Sequence, residues 1–152
     1  MNRTGVRTFE AAAFLRRCGA DITRVRKMFR DDMASYRAKA EAMRRAEVYR
    51  KEYAIAECPG DIESPTVLAA QTANELLDIS GIKASFVLTV YEGKIYLSAR
   101  SIDEVNVQII AEKLGGGGHI NSAGAQFDHT NIQEVITILK ETIDEMIEEG
   151  DI

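Results

Sequence analysis

Two stretches rich in β-branched and aromatic residues, ASFVLTVY (84–91) and KIYLSAR (94–100), flank the pair Glu92-Gly93. A two-residue tip of that kind joins antiparallel strands, so the spacing predicts a hairpin in the middle of the chain. Helical signals surround it. Ser64-Pro65 gives an N-cap and a first turn for a helix running to about Ile79 and stopped by Gly81. Ser101 to Glu104 has the spacing of a capping box, after which Val107, Ile110, Ala111 and Leu114 share one face of a helix ending at Gly115. YAIAEC, before Pro59-Gly60, and AGAQF (123–127) read as further strands, and Asn131 opens a final helix that buries Ile132, Val135, Ile136, Leu139, Ile143, Met146 and Ile147. Strands interleaved with amphipathic helices imply an α+β fold, a small mixed sheet of about four or five strands covered by helices.

The first third of the chain differs in character. Thr8 can cap FEAAAFLRRCG, ADITRVRKMF follows Gly19, and from Asp31 to about Lys51 strong helix formers without Gly or Pro predict a long connecting helix. Residues 1–51 carry 14 of the 19 Lys and Arg against six acids, a balance of +8, while residues 52–152 stand at −13. The break predicts two units, 1–52 and 53–152, and makes Arg100, the only arginine of the acidic part, informative. The basic residues of the connecting helix fit either a phosphate-bearing ligand or a solvated face.

At 152 residues and 45% hydrophobic, the chain can bury a real core and is not disordered. Its longest apolar stretches fall far short of the roughly 18 residues a membrane span needs, and its N-terminus is polar and basic. Cys18 and Cys58 have no metal-ligand spacing, so both read as packing residues in a reduced, cytosolic setting.

Four consecutive glycines, Gly115, Gly116, Gly117 and Gly118, precede His119. Relative to alanine they cost about 2–4 kcal/mol in unfolded-state entropy, a sizeable part of a net stability of roughly 5–15 kcal/mol. The run joins a helix C-terminus to a strand, so it is not a P-loop, which needs Lys-Ser/Thr and a following helix. Nor is it a dinucleotide fingerprint, because Ile120 stands where the third glycine belongs. The helix dipole points its negative end at the loop. A nest of backbone N–H groups that takes phosphate or carboxylate oxygens and a plain flexible turn both fit. His119 fits a donor to a phosphodiester oxygen or a ring tied to a backbone carbonyl. His129 reads as a capping or solvent-facing residue, and no spacing of the two histidines with carboxylates suggests a metal site.

YLSARSIDEVNVQIIAEKL followed by LGGGGHINSAGAQF resembles the DHH-associated domain of the DHH phosphoesterase family, which carries a GGGH motif followed by a small-residue Ala-Gly segment. The likeness covers roughly residues 55–150. Upstream, NRTGVRTFEAAAFLRRCGADITRVRKMF resembles the tail of the catalytic DHH domain in the subgroup that hydrolyses cyclic di-AMP, the GdpP type. The resemblance implies that Gly115, Gly116, Gly117, Gly118 and His119 receive a nucleotide end of the substrate and present its phosphodiester to metals. It implies contributions from Ser98, Arg100 and Ser101, with Asn106 a further candidate, and close packing under the ligand by Ala123 and Gly124. Plainer roles also fit: Ser101 capping its helix, Arg100 pairing with Asp103 or Glu104, and Asn106 on a solvated face.

Enzymes of this family hold two Mn²⁺ ions on aspartates and histidines of the catalytic domain, including an adjacent Asp-His-His that these 152 residues lack. The resemblance therefore implies a substrate-binding part with no catalytic residues and no metal of its own, whose Mn²⁺ belongs to a missing DHH catalytic domain. The implied partners are that domain, a dinucleotide or short nucleic-acid ligand and, as an allowed assembly, a second copy in a homodimer. The implied location is cytoplasmic without direct membrane contact, although the full-length parent can be membrane-anchored. The alternative is a nucleic-acid-end binding module, as in exonuclease and oligoribonuclease relatives. A module for long strands calls for a basic groove with stacking aromatics, whereas residues 52–152 are acidic and their aromatics are Tyr53, Phe86, Tyr91, Tyr96 and Phe127.

Overall fold

The computed structural model describes residues 5–102 and 104–152. The chain divides into two compact units, Met1–Asp32 and Met33–Ile152. The division precedes the charge reversal near residue 52 because the segment after Asp32 packs on the sheet: Ala42 is buried in an apolar cluster with Leu68, Ala69 and Leu76.

The first unit contains helices α1 (Val6–Arg17) and α2 (Ile22–Met28), linked through Gly19 at φ 95°. The α1 N-cap is Gly5 rather than the expected Thr8, and Asp21 caps α2 by accepting from the Thr23 N–H at 2.8 Å. Neither helix buries a residue: Phe9, Phe14, Leu15 and Met28 are exposed. Cys18, expected as a packing residue, is exposed as well, while Cys58 is buried.

In the second unit, α3 (Met33–Arg44) is followed by β1 (Glu47–Tyr49), β2 (Tyr53–Cys58), α4 (Pro65–Leu76), β3 (Ala84–Tyr91), β4 (Lys94–Ser101), α5 (Val107–Lys113), β5 (Gly117–His119), β6 (Ser122–Phe127) and α6 (Ile132–Glu149). The sheet has six strands in the order β1-β2-β3-β4-β6-β5, one or two more than the sequence predicts. β2 and β3 are parallel, joined by α4 as crossover, and every other pair is antiparallel. Both extra strands are three residues long, too short for a periodic signal. β1 also corrects the connecting helix, which stops at Arg44 instead of reaching Lys51. Arg50 and Lys51 turn the chain at φ 49° and 68°, and β1 is held from a distance: Tyr49 Oη donates to Asp144 of α6 at 2.7 Å, and Arg50 grips the same carboxylate with two nitrogens.

The expected hairpin is present, with Tyr91 opposite Lys94 and the tip residues Glu92 and Gly93 both at positive φ, as a type I′ turn requires. Strand alternation then builds two cores. Phe86, Leu88, Ile95, Leu97 and Ala99 face α5 and α6, where Ile110, Leu139 and Ile143 are fully buried. Val87, with Ala54, Ala56 and Cys58, faces α3 and α4. In α6 the expected stripe is buried at Val135, Leu139, Ile143 and Met146, but Ile147 is exposed. The expected capping box at Ser101 is not how α5 starts: Ser101 ends β4, and the N-cap is Asn106, whose Oδ1 accepts from the Gln108 N–H at 3.1 Å.

Candidate functional site

Residues opposite one another across paired strands share a face of the sheet, and the face alternates along each strand. The register therefore lays out three rows across β3, β4, β6 and β5. One is Ser85, Arg100, Ser122, His119; the next is Val87, Ser98, Gly124, Gly117; the third is Thr89, Tyr96, Gln126. On β4 the opposite side is buried at Ile95, Leu97, Ala99 and Ser101, whereas Lys94, Tyr96, Ser98 and Arg100 are half-buried. This side is fully buried at Ser85, Val87 and Thr89 of β3 and opens only from β4 outwards, where it brings together Ser98, Arg100, Gly117 and His119 of the expected residues. With neighbouring strands about 4.8 Å apart, Arg100 and His119 are about 10 Å apart with Ser122 between them.

Each glycine of the run has its own surroundings. Gly115, at φ 79°, ends α5: its N–H donates to the Glu112 carbonyl and that of Gly116 to the Ala111 carbonyl, at 3.0 and 2.7 Å, the pair of bonds that makes a Schellman end. A Cβ on Gly116 would run into the Gly124 carbonyl oxygen and lie 2.6 Å from Ala125 Cα, and one on Gly118, at φ 150°, would lie 2.5 Å from Ala123 Cα. Those two let the segment lie flat on β6. A Cβ on Gly117 would meet nothing within 4 Å, and its φ is not in the left-handed region. The fold alone accounts for three of the four glycines and not for Gly117.

Arg100 is half-buried, and desolvation lowers its pKa. Its Nη1 donates to the Ala99 carbonyl at 2.8 Å and reaches that of Ala123 at 3.5 Å. The other basic residues of positions 52–152 all have carboxylate partners: Lys83 with Glu52, Lys94 with Asp128, Lys113 with Glu149 and Lys140 with Glu47. Arg100 alone has none among the described residues. Glu104, one expected partner, lies near Lys83 at 3.7 Å, and Asp103, the other, is outside the described residues. Five N–H donors with only carbonyls to meet, on a partly desolvated cation, favour an anion beside them. The His119 ring is exposed and makes no hydrogen bond among the described residues, so it is not tied to a carbonyl.

Two expected residues are held elsewhere. Ser101 is buried on the core side and its Oγ donates to the Ile120 carbonyl at 3.2 Å, while Asn106 caps α5. Ala123 points into the core, leaving Gly124 as the small residue of the open face. Ser122, Tyr96 and Gln126 were missed, although the alternation Ser122-Gly124-Gln126 against Ala123-Ala125-Phe127 carries the signal.

Among the described residues no three His, Cys, Asp or Glu side chains gather where they could hold a metal ion. Among the same residues no helix is long and apolar enough to cross a membrane.

Residues 51–145 match the family described as the DHHA1 domain. The chain is 43% identical over 149 residues to the cyclic-di-AMP phosphodiesterase GdpP of Geobacillus thermodenitrificans, covering 97% of the chain and 23% of that protein. It is 41% identical over 143 residues to the cyclic-di-AMP phosphodiesterase PdeA of Listeria monocytogenes, covering 93% of the chain and 22% of that protein. The chain thus spans less than a quarter of the length of these curated relatives. Among solved structures, an exopolyphosphatase-related protein from Bacteroides fragilis superposes with a TM-score of 0.79 at 18% identity, over 95% of this chain and 45% of that one, a likeness of fold. The match along residues 51–145 covers more than half of the chain, and the chain belongs to the DHHA1 domain family.

Proposed function

We propose that this chain is the substrate-recognition part of a phosphodiesterase acting on cyclic di-AMP or a related dinucleotide. The observation that carries the reading is Arg100, the one basic residue of positions 52–152 without a carboxylate among the described residues, half-buried in a row with Ser122 and His119. A phosphate oxygen between the Arg100 fork and the His119 ring would take directed donors from both, with the Ser122 hydroxyl below. Gly117, in the neighbouring row, would let the ligand approach the backbone without a side chain in the way. The relatives' names support the dinucleotide. Hydrolysis is assigned to Mn²⁺ held by residues outside this chain, which supplies the attacking hydroxide when bound, so the 152 residues alone are expected to be inactive.

Calorimetric titration with cyclic di-AMP tests the reading. Arg100→Ala removes donors to a charged group and is expected to weaken binding about 10- to 150-fold, with the loss shrinking at high salt. Gly117→Val should weaken binding while leaving the melting temperature in place, because its Cβ meets only open space. Binding unchanged in both variants would return the run to a plain turn, and turnover of cyclic di-AMP by the pure chain with Mn²⁺ would overturn the assignment of catalysis elsewhere.

A further inference from the structure

The five aromatic side chains of positions 52–152 divide unequally between the faces of the sheet. Tyr53 and Phe86 are buried, and Phe127 packs against the same core. The other two, Tyr91 and Tyr96, lie on the open side: Tyr96 is opposite Thr89, and Tyr91 follows two residues beyond it. Their ring centroids are 6.3 Å apart, with planes tilted by 52°. Tyr91 is exposed and Tyr96 half-buried. Lys94, opposite Tyr91, is drawn aside by Asp128 at 3.4 Å, and the exposed Gln126 stands opposite Tyr96 with a primary amide that can both donate and accept.

We propose that Tyr96, backed by Tyr91, is a stacking subsite for one nucleobase of the ligand. This rests on the reading of Arg100 and His119 as the phosphate end and extends it to the other end of a nucleotide. Successive rows are two residues, or about 7 Å, apart, and their chemistry runs in the order of a nucleotide's parts. The row Arg100, Ser122, His119 offers donors to phosphate. The row Ser98, Gly124, Gly117 offers a hydroxyl over a floor without side chains, where a ribose can lie close to the backbone. The row of Tyr96 and Gln126 offers an aromatic face and an amide edge, which is what a base needs. A merely structural tyrosine pair would stiffen the hairpin tip and be indifferent to what lies above it.

The 152-residue chain is titrated with 5′-phosphorylated diadenylate and with ribose 5-phosphate, and the adenine H2 and H8 resonances are followed by NMR. Tyr96→Leu keeps an apolar side chain but no ring, and should weaken diadenylate binding about 5- to 150-fold while ribose 5-phosphate binding stays as in the unaltered chain. Tyr96→Phe should restore affinity, and adenine protons should shift upfield on binding to the unaltered chain and Tyr96→Phe but not to Tyr96→Leu. If Tyr96→Leu unfolds, Tyr91→Leu, at the exposed ring, carries the same test with a smaller expected loss. Equal diadenylate affinity in the leucine and phenylalanine variants, or no upfield shift in the unaltered chain, overturns the subsite. Arg100→Ala separates the two readings: if it leaves binding of both ligands intact while the ring dependence persists, the phosphate assignment fails and the base subsite stands. An unaltered chain that binds neither ligand overturns both.

Discussion

The two faces of β4 and β6 are made from alternate residues of the same strands and have opposite fates. On one, Ile95, Leu97, Ala99, Ala123 and Ala125 are sealed under α5 and α6. On the other, Tyr96, Ser98, Arg100, Ser122 and Gly124 remain half-buried. Ser85, Val87 and Thr89 of β3, on that same side, are still fully buried, so the second layer thins out only along β4 and β6, and substitutions there should disturb the packing less.

The largest expected contrast is in stability. Leu139→Ala, under the closed face and fully buried, should cost about 2–5 kcal/mol, whereas Ser98→Ala on the open face should stay within about 0.5 kcal/mol. Urea titrations of both variants measure the difference, and comparable losses would erase the distinction between the faces. Next come the adjacent glycines. Gly116→Ala forces a methyl against Ala125 and the Gly124 carbonyl and should cost about 1–3 kcal/mol, while Gly117→Ala should leave the melt almost unmoved. Equal shifts would mean that β5 does not lie on β6 as described.

The smallest effect concerns Asp144, on the α6 side. Its hydrogen bonds from Arg50 and Tyr49 hold its carboxyl below the usual range. A depressed carboxylate stabilises the fold above its unfolded pKa, near 4, and that contribution is lost as pH falls through the lower folded value. Asp144→Asn should therefore lower stability at neutral pH slightly and flatten the acid limb of the stability curve, with the difference diminished by salt. An acid limb identical in both proteins would remove Asp144 from the account of how β1 is held.

The hairpin around Glu92-Gly93, the α6 stripe and the resemblance around the glycine run were legible because their signals are local: a turn pair, a helical period, a contiguous motif. β1 was not, because Val48 and Tyr49 sit beside strong helix formers, and what draws them into the sheet lies 95 residues away in Asp144. Ser101 misled for a related reason. Its position suits a helix cap, but its hydroxyl is taken by the Ile120 carbonyl across the sheet. At the site, sequence singled out Arg100 and His119 but could not pair them, since only register puts Ser122 between them. Nor could it sort the glycines, because what distinguishes Gly117 from Gly116 is whether a Cβ there would point into open space or against β6.

The sheet is bordered on both sides by strands of only three residues, β1 and β5. Short outer strands offer little template for another chain to extend, which protects a mixed sheet from joining its copies edge to edge. On the β5 side the same economy sets how that edge opens. Gly117 to His119 pair only with Ser122 to Gly124, so three residue pairs are all the strand pairing that must open for this edge to fray. Its amide protons should therefore exchange through local opening, well ahead of the interior strands.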